Sequence, residues 1–314
     1  MRRNMLLTAP FIVLDQNALR KPDLMGPAIE RAYRSGAHLL ILDIAVLEMM
    51  KHPSRWEETA RHSLASLVGC REQVSIGRGV PALMKEERTT GVPALGSLID
   101  QELSAPFREL LAEFQNPAGG PYLAYLRSRI ADTQKRIIEA QYLQHDANKR
   151  TLQGFRDIWK AFLPHSADRK RVRENIDDQL RILVHPTLTR QLEQLLLEGG
   201  HHVRHAQRIA FDRSVSSHWM LALLATSFRW FLDQGLDTLA APKATNEIID
   251  VDYITIGSLC SELISKETNV NETAALVRAA AEIRSAVFSI VDSEIPDADA
   301  ASRFRRHCEL TPRS

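Results

Sequence analysis

The sequence predicts an α/β protein whose parallel sheet is assembled from both chain ends and interrupted by a large all-helical insertion. Three observations lead to this prediction. The first 80 residues alternate short apolar runs with stretches of helical periodicity. Residues 81–241 are almost entirely helix-forming. The alternation of helix and strand patterns then returns after residue 242, which indicates that the sheet is completed by the C-terminal part.

The N-terminal part begins with two short apolar runs. Residues 11–15, FIVLD, are rich in β-branched side chains and follow a proline, so they predict a buried strand. A stretch with helical spacing comes next and ends at Gly36, a residue type that often ends helices. Residues 37–43, AHLLILD, predict the second strand, and the helix that follows should break near Pro53.

The middle of the chain carries Leu, Ile and Phe at helical spacing among charged residues. Breaks are expected at the runs NPAGGP, LPHSA and LEGG. Residues 214–232 are more apolar than the rest, and they predict a buried helix whose aromatic side chains belong to the core.

The C-terminal part predicts a helix over NEIIDVDYITIGSLC, a strand over ELISKE, a further helix and another strand at 286–291. We therefore expect a discontinuous core of residues 9–80 and 242–292, a helical insertion of residues 81–241, and a tail of residues 293–314.

Net charge, cysteine spacing and the length of the apolar runs argue against several classes of function. The net charge is +1, so any contact with nucleic acid must come from a local patch rather than from the overall field. The three cysteines are widely spaced and form no CxxC pair, which argues against a zinc site and fits a reducing cytoplasm. No apolar run is long enough for a membrane span. The basic, partly apolar beginning lacks the cleavage pattern of a signal peptide.

Acidic side chains follow the predicted strands. Asp15 ends the first strand, Glu48 lies one turn into the helix after the second, and Glu267 follows LIS at the end of a third predicted strand. Asp250 and Asp252 lie in the helix before that strand. The carboxyl ends of parallel strands meet at one edge of a sheet, where ligands bind, so we expect these side chains to converge there.

A group of carboxylates at one edge would be unfavourable without a cation, because like charges raise one another's pKa. Oxygen ligands are those that Mg²⁺ or Mn²⁺ prefers. A divalent ion held in this way typically promotes phosphodiester hydrolysis. The sequence therefore predicts a metal site formed by Asp15, Glu48, Asp250, Asp252 and Glu267.

The motifs resemble the PIN-domain family of metal-dependent ribonucleases. FIVLDQNAL is similar to its opening strand, an apolar run followed by Asp, any residue and Asn. LLILDIAVLEMMKHP is similar to its second motif, and NEIIDVDYITIGSLCSELISKE to its third and fourth. The resemblance covers roughly residues 9–70 and 245–292. It departs at Glu267, where the family has aspartate, and in the long insertion.

The resemblance implies a PIN-like three-layer core, a nuclease that cuts RNA in preference to DNA, and a role as a toxin or defence effector. It also implies that Asn17 and Ser265 support the metal site. Asp250 and Asp252 both match the third acidic position, so that choice stays open.

Two other interpretations remain beside this one. The α/β core could be catalytically inactive and act as a scaffold that binds a protein or RNA partner, or a second copy of the chain, through the insertion. A phosphohydrolase of the haloacid dehalogenase kind also begins with a strand and an aspartate, but it needs a second aspartate where Asn17 stands. Each acidic residue also has a plain structural interpretation, as a helix cap or a solvated side chain.

Two further patterns suggest weaker sites. His201 and His205 are four residues apart and could share a helix face, but no HExxH glutamate accompanies them, so a solvated helix is the better interpretation. The basic run that contains Arg169, Lys170 and Arg171 is the nearest candidate for phosphate contacts, with a solvated charged face as the alternative.

Overall fold

The computed structural model describes residues 9–52, 54–116, 118–142, 144–200, 213–233 and 235–294. Within these residues, four strands form one sheet, and every neighbouring pair is parallel. The strands are β1 (Ala9–Leu14), β2 (His38–Leu42), β3 (Val74–Gly77) and β4 (Cys260–Ile264). The predicted parallel α/β sheet, built from both ends of the chain, is confirmed.

The strand order is β3-β2-β1-β4. The chain moves from β1 outward through β2 to β3, and it then returns to the other side of β1 with β4. The direction of winding therefore reverses between β1 and β4. In open parallel sheets, this switch point leaves a crevice at the carboxyl ends of the strands, where ligands bind. The fold thus singles out the ends of β1 and β4 as the place for a site.

Helices make up most of the described chain. In order they are α1 (Gln16–Leu19), α2 (Pro22–Ser35), α3 (Asp43–Met49), α4 (Trp56–Leu64), α5 (Val80–Thr90), α6 (Gln101–Glu113), α7 (Pro121–Tyr142), α8 (His145–Gln153), α9 (Arg156–Phe162), α10 (Ser166–Glu174), α11 (Ile176–Leu183), α12 (Pro186–Glu198), α13 (Val215–Asp233), α14 (Ala241–Leu259) and α15 (Thr268–Glu294). Three short 3₁₀ segments, Ala65–Gln73, Ala94–Ser97 and Leu236–Thr238, connect some of them.

Several predicted elements are found, one strand is missing from the prediction, and one predicted strand is wrong. The described part of the insertion is helical, as expected, and a break separates α3 from α4, although Pro53 itself lies outside the described residues. β3 is missing from the prediction because it is only four residues long and contains a serine. The strand expected at 286–291 is wrong, since α15 continues through it. A short apolar run alone does not distinguish a strand from a buried helix.

The insertion shares its core with the sheet region. Helix α13 is buried along most of its length and packs against both α14 and α15. The buried carboxylate of Glu87, on α5, accepts hydrogen bonds from the backbone N–H groups of Val215 and Ser216 and from the Ser216 hydroxyl. These N–H groups begin α13 and would otherwise lack partners, so Glu87 caps that helix from outside it.

Helix α14 lies close over β4. A Cβ atom at Gly257 would lie 2.7 Å from Cβ of Leu263, so only glycine permits this approach. The guanidinium of Arg278, on α15, donates hydrogen bonds to the carbonyl oxygens of Gly257 and Cys260, where α14 ends and β4 begins. These contacts fix one face of α14 beside the end of the sheet.

A carboxylate cluster at the carboxyl edge of the sheet

Asp15 lies at the centre of the candidate site. It follows β1 directly, and its backbone N–H donates to the carbonyl oxygen of Ile264, the last residue of β4. Its side chain is only 3% exposed. One carboxylate oxygen accepts the backbone N–H of Asn17 at 3.3 Å and the other accepts the hydroxyl of Ser265 at 2.6 Å. Burial raises the pKa of Asp15 above its ordinary value, although these hydrogen bonds lower it.

The turn after β4 completes this side of the site. The Ser265 hydroxyl, besides donating to Asp15, accepts the backbone N–H of Glu267 at 3.0 Å. The side-chain amide of Asn271 donates to the Ser265 carbonyl and accepts the Ser265 N–H, which holds the turn in place. Glu267 itself is exposed, and its Oε1 accepts the Asn17 amide at 3.4 Å. Asn17, Ser265 and Glu267 therefore all lie around Asp15.

Glu48 reaches the site from α3. The phenol of Tyr253, on α14, donates to Oε2 of Glu48 at 3.1 Å. Burial and the negative charge of Asp15 raise the pKa of Glu48 to about 7, and the Tyr253 hydrogen bond opposes this rise. Glu48 is thus oriented by a neighbour and lies within electrostatic range of Asp15.

Asp250 approaches from the same face of α14 as Tyr253. Its pKa is raised to about 8, first by burial and then by the negative charges of Glu247, Glu267 and Asp15. Lys243 is a nearby cation: its ammonium lies 3.0 Å from Glu247 and partly offsets the charge of Asp250. Asp250 therefore belongs electrostatically to the group around Asp15.

Asp252 lies elsewhere. Successive helical residues are about 100° apart, so the side chains of Asp250 and Asp252 point about 200° from each other. Asp252 lines a separate, mainly apolar cavity of about 630 Å³ together with Trp219, whose side chain hydrogen-bonds it. Burial and the charge of Asp43 raise the pKa of Asp252 to about 7. Of the two aspartates left open by the sequence, the structure brings Asp250 to the cluster and leaves Asp252 out.

Four carboxylates thus form what we call the carboxylate cluster: Asp15, Glu48, Asp250 and Glu267. Its donors are all oxygen atoms, and their mutual repulsion would be relieved by a cation, so their chemistry fits Mg²⁺ or Mn²⁺. In the arrangement of the described residues, however, no group of three or more His, Cys, Asp or Glu side chains is positioned to hold a metal ion.

Three supporting residues are not among those predicted from the sequence: Tyr253, Lys243 and Asn271. Tyr253 is three residues after Asp250, which places both on one helix face. This spacing in the sequence was sufficient to predict that Tyr253 lies beside the site. Lys243 carries a weaker signal, because it is seven residues before Asp250 on the same helix and so two turns away on nearly the same face. Asn271 carries no such signal, since its role depends on the shape of the turn after β4.

The basic run of the insertion lies on α10. The guanidinium of Arg169 lies 5.2 Å from the ring centre of Phe231, while Arg171 is near Asp168 and Asp178. Arg173, at the end of α10, lines a cavity together with residues from the first turns of α15, which begins directly after Glu267. The C-terminal end of α10 therefore faces the N-terminal part of α15 across this cavity. His201 and His205 lie outside the described residues.

Across the described residues, no helix combines the length and the apolar character needed to cross a membrane. Comparisons of the chain with protein-family models, with curated proteins and with solved structures found no match. Any assignment of function therefore depends on the site itself.

Proposed function

We propose that the protein is a divalent-metal-dependent nuclease that hydrolyses phosphodiester bonds, with RNA rather than DNA as its substrate. The single observation that carries this proposal is the carboxylate cluster, in which residues from three distant parts of the sequence raise one another's pKa at the switch point of the sheet. The resemblance to PIN-domain ribonucleases supports the same activity and, with it, a toxin or defence role, while the cysteine pattern favours a cytoplasmic location.

In this proposal, Asp15, Glu48 and Asp250 bind Mg²⁺ or Mn²⁺, and Glu267 contributes directly or through water. A bound ion of this kind supplies an activated water and stabilises the departing oxygen. Ser265 holds the Asp15 carboxylate in a fixed orientation, and Tyr253 does the same for Glu48. Because Glu48 and Glu267 have the longer side chains, they are the residues that move inward to complete the ligand set.

Asp252 is not part of the proposed ligand set, although the sequence left it as a candidate. Its charge interacts with that of Asp43, and its side chain is hydrogen-bonded to Trp219 in a separate cavity. This difference supplies a matched control for experiments on the cluster, since Asp252 is a partly buried carboxyl group on the same helix as Asp250.

The proposal is tested by cleavage of a fluorescently labelled single-stranded RNA in Mn²⁺, with wild type, Asp15→Asn and Asp252→Asn. Asp15→Asn keeps the shape of the side chain and removes the charge that binds the cation. We expect it to lose cleavage by at least about 100-fold while the circular dichroism spectrum is unchanged, and we expect Asp252→Asn to cut normally. Equal cleavage by Asp15→Asn and wild type would refute the proposal.

A partner-binding scaffold is the second candidate. The observation that favours it is the lack, among the described residues, of three acidic or histidine side chains already positioned to hold a metal. In that case the protein would show no metal-dependent cleavage, and its partner would be a protein or an RNA held by the insertion. The cleavage assay separates the two candidates directly.

A further inference from the structure

A second feature of the carboxyl edge is an apolar cavity of about 610 Å³ between α3, β3, α6 and α7. Asp43, Ile76 and Phe107 are among the residues that line it. Tyr122 and Tyr125 also line it and remain 40% and 62% exposed. We call it the tyrosine cavity. Its size falls in the range of small-ligand pockets, and its lining is mostly apolar with one carboxylate, as in such pockets.

The tyrosine cavity lies on the same edge of the sheet as the carboxylate cluster. Asp43 follows β2 directly, just as Asp15 follows β1, and β2 pairs in parallel with both β1 and β3. Neighbouring strands are about 4.8 Å apart, so β1 and β3 are separated by about 10 Å. Helix α3 contributes to both places, with Glu48 in the cluster and Asp43 in the cavity. The cluster and the cavity therefore share helix α3 and one edge of the sheet.

The lining indicates which part of a ligand would enter. Among the described residues that form the cavity there is no lysine or arginine, so the cavity suits an uncharged group and not a phosphate. Exposed tyrosine rings at its rim provide flat surfaces on which a planar ring can stack. These properties match a nucleobase, which is planar, uncharged and carries N–H donors along its edge.

Asp43 supplies the complementary acceptor. Its Oδ1 accepts the backbone N–H of Ile44 at 2.7 Å, which fixes the carboxylate at the start of α3. A Cβ atom at position 79 would lie 2.6 Å from Oδ2, so the carboxylate packs against the Gly79 backbone and only glycine permits this approach. The carboxylate is thus held in one orientation, and it is the one acidic group among the described lining residues, so it is the carboxylate available to accept a hydrogen bond from the edge of a base.

We propose that the tyrosine cavity binds one nucleobase of a single-stranded nucleic acid whose phosphodiester backbone passes the carboxylate cluster. This inference rests on the proposed function for its choice of ligand. It adds a substrate requirement: the strand must be unpaired near the cut, because a base within a duplex is not free to stack on Tyr122 and Tyr125.

The test combines a substitution in the protein with the removal of a base from the RNA. Binding of a single-stranded RNA ten-mer, and of versions with one abasic position each, is measured by fluorescence anisotropy for wild type and Tyr125→Ala. Measurements are made without divalent ions, so that no cleavage occurs. We expect wild type to bind the strand that is abasic at one particular position about tenfold more weakly than the intact strand. Tyr125→Ala should bind the intact strand about tenfold more weakly than wild type does, and the abasic change at that position should weaken its binding no further.

Tyr33→Ala is the matched control, because Tyr33 is a similarly exposed tyrosine, 56% exposed, on α2. It should bind like wild type. A second variant, Asp43→Asn, keeps a side chain suited to the start of a helix and should change which base is preferred at the coupled position. If the loss at every abasic position is the same in wild type and Tyr125→Ala, or if no strand binds, the cavity holds no base.

The outcome is independent of the hydrolysis proposal. If the effect of the abasic position depends on Tyr125 but no metal-dependent cleavage is found, the base site is supported and the nuclease assignment is removed. If cleavage depends on Asp15 but the effect of the abasic position does not depend on Tyr125, the nuclease assignment stands and the base site is overturned.

Discussion

The hydroxyl of Ser265 donates a 2.6 Å hydrogen bond to Oδ2 of Asp15, and the two residues are 250 positions apart in the sequence. The bond joins the ends of β1 and β4 at the switch point of the sheet. It connects the N-terminal and C-terminal parts of the chain at the atom on which the proposed metal site depends.

This bond leads to the first prediction. Ser265→Ala removes a donor from a buried carboxylate, so the free energy of unfolding should fall by about 1–3 kcal/mol. Metal-dependent cleavage should fall by about tenfold, because Asp15 is no longer held in one orientation. Ser265→Thr retains the hydroxyl and should preserve most of the activity. Full activity of Ser265→Ala would show that this orientation is unimportant.

The second prediction concerns pH. The folded-state pKa values of Glu48 and Asp250 are about 7 and about 8, above their ordinary values of 4.5 and 3.8. The folded protein therefore keeps protons that the unfolded chain has already lost, and stability is lost as pH rises through the folded pKa values. Without divalent ions, the free energy of unfolding should fall by on the order of 2–4 kcal/mol between pH 6 and pH 8.5.

The control for this prediction is the double variant Glu48→Gln with Asp250→Asn, in which neither side chain titrates. Its stability should change less over the same pH range, as measured by urea unfolding. Saturating Mn²⁺ should also reduce the loss in wild type, because a bound cation favours the ionised carboxylates. A wild-type stability that rises from pH 6 to pH 8.5 would contradict the electrostatic account of the cluster.

The third prediction concerns the basic run on α10. Charge reversal at Arg169, Lys170 and Arg171 should weaken RNA binding, most clearly at low salt, while metal binding is unchanged. Because Arg169 stacks on Phe231, its reversal should also lower stability. The double variant Lys170→Glu with Arg171→Glu therefore separates the electrostatic effect from a loss of packing.

Reversal of two exposed lysines elsewhere, Lys85 and Lys135, changes the net charge by the same amount and serves as the control. It should affect binding less than the α10 double variant does. If the two double variants bind RNA equally at low salt, α10 makes no phosphate contacts, and the insertion is better interpreted as a surface for a protein partner.

Local sequence patterns predict those strands that are set by the apolar character of their own residues. Apolar runs predict β1, β2 and β4, and the parallel pairing expected of these strands places Asp15 and Glu267 at one edge of the sheet. The short, partly polar β3 and the continuation of α15 through residues 286–291 are not predicted, because tertiary packing decides both.

The candidate site is likewise predictable only in part from the sequence. Motif order identifies the acidic residues, but the choice between Asp250 and Asp252 depends on which face of α14 meets the sheet. That face is set by the close approach of Gly257 to Leu263 and by the Arg278 contacts, which no local pattern reveals. The tyrosine cavity is formed by elements far apart in sequence, so it exists only in the folded chain.

The most direct test of the carboxylate cluster is a calorimetric titration of Mn²⁺ into wild type, Asp250→Asn and Asp252→Asn at pH 8. Each variant replaces one carboxyl group on the same helix, two residues apart, but only Asp250 interacts with Asp15 and Glu267. We expect wild type and Asp252→Asn to bind Mn²⁺ alike, and Asp250→Asn to bind it at least about tenfold more weakly. Equal binding by all three proteins, or a loss in Asp252→Asn alone, would contradict the assignment of the metal site.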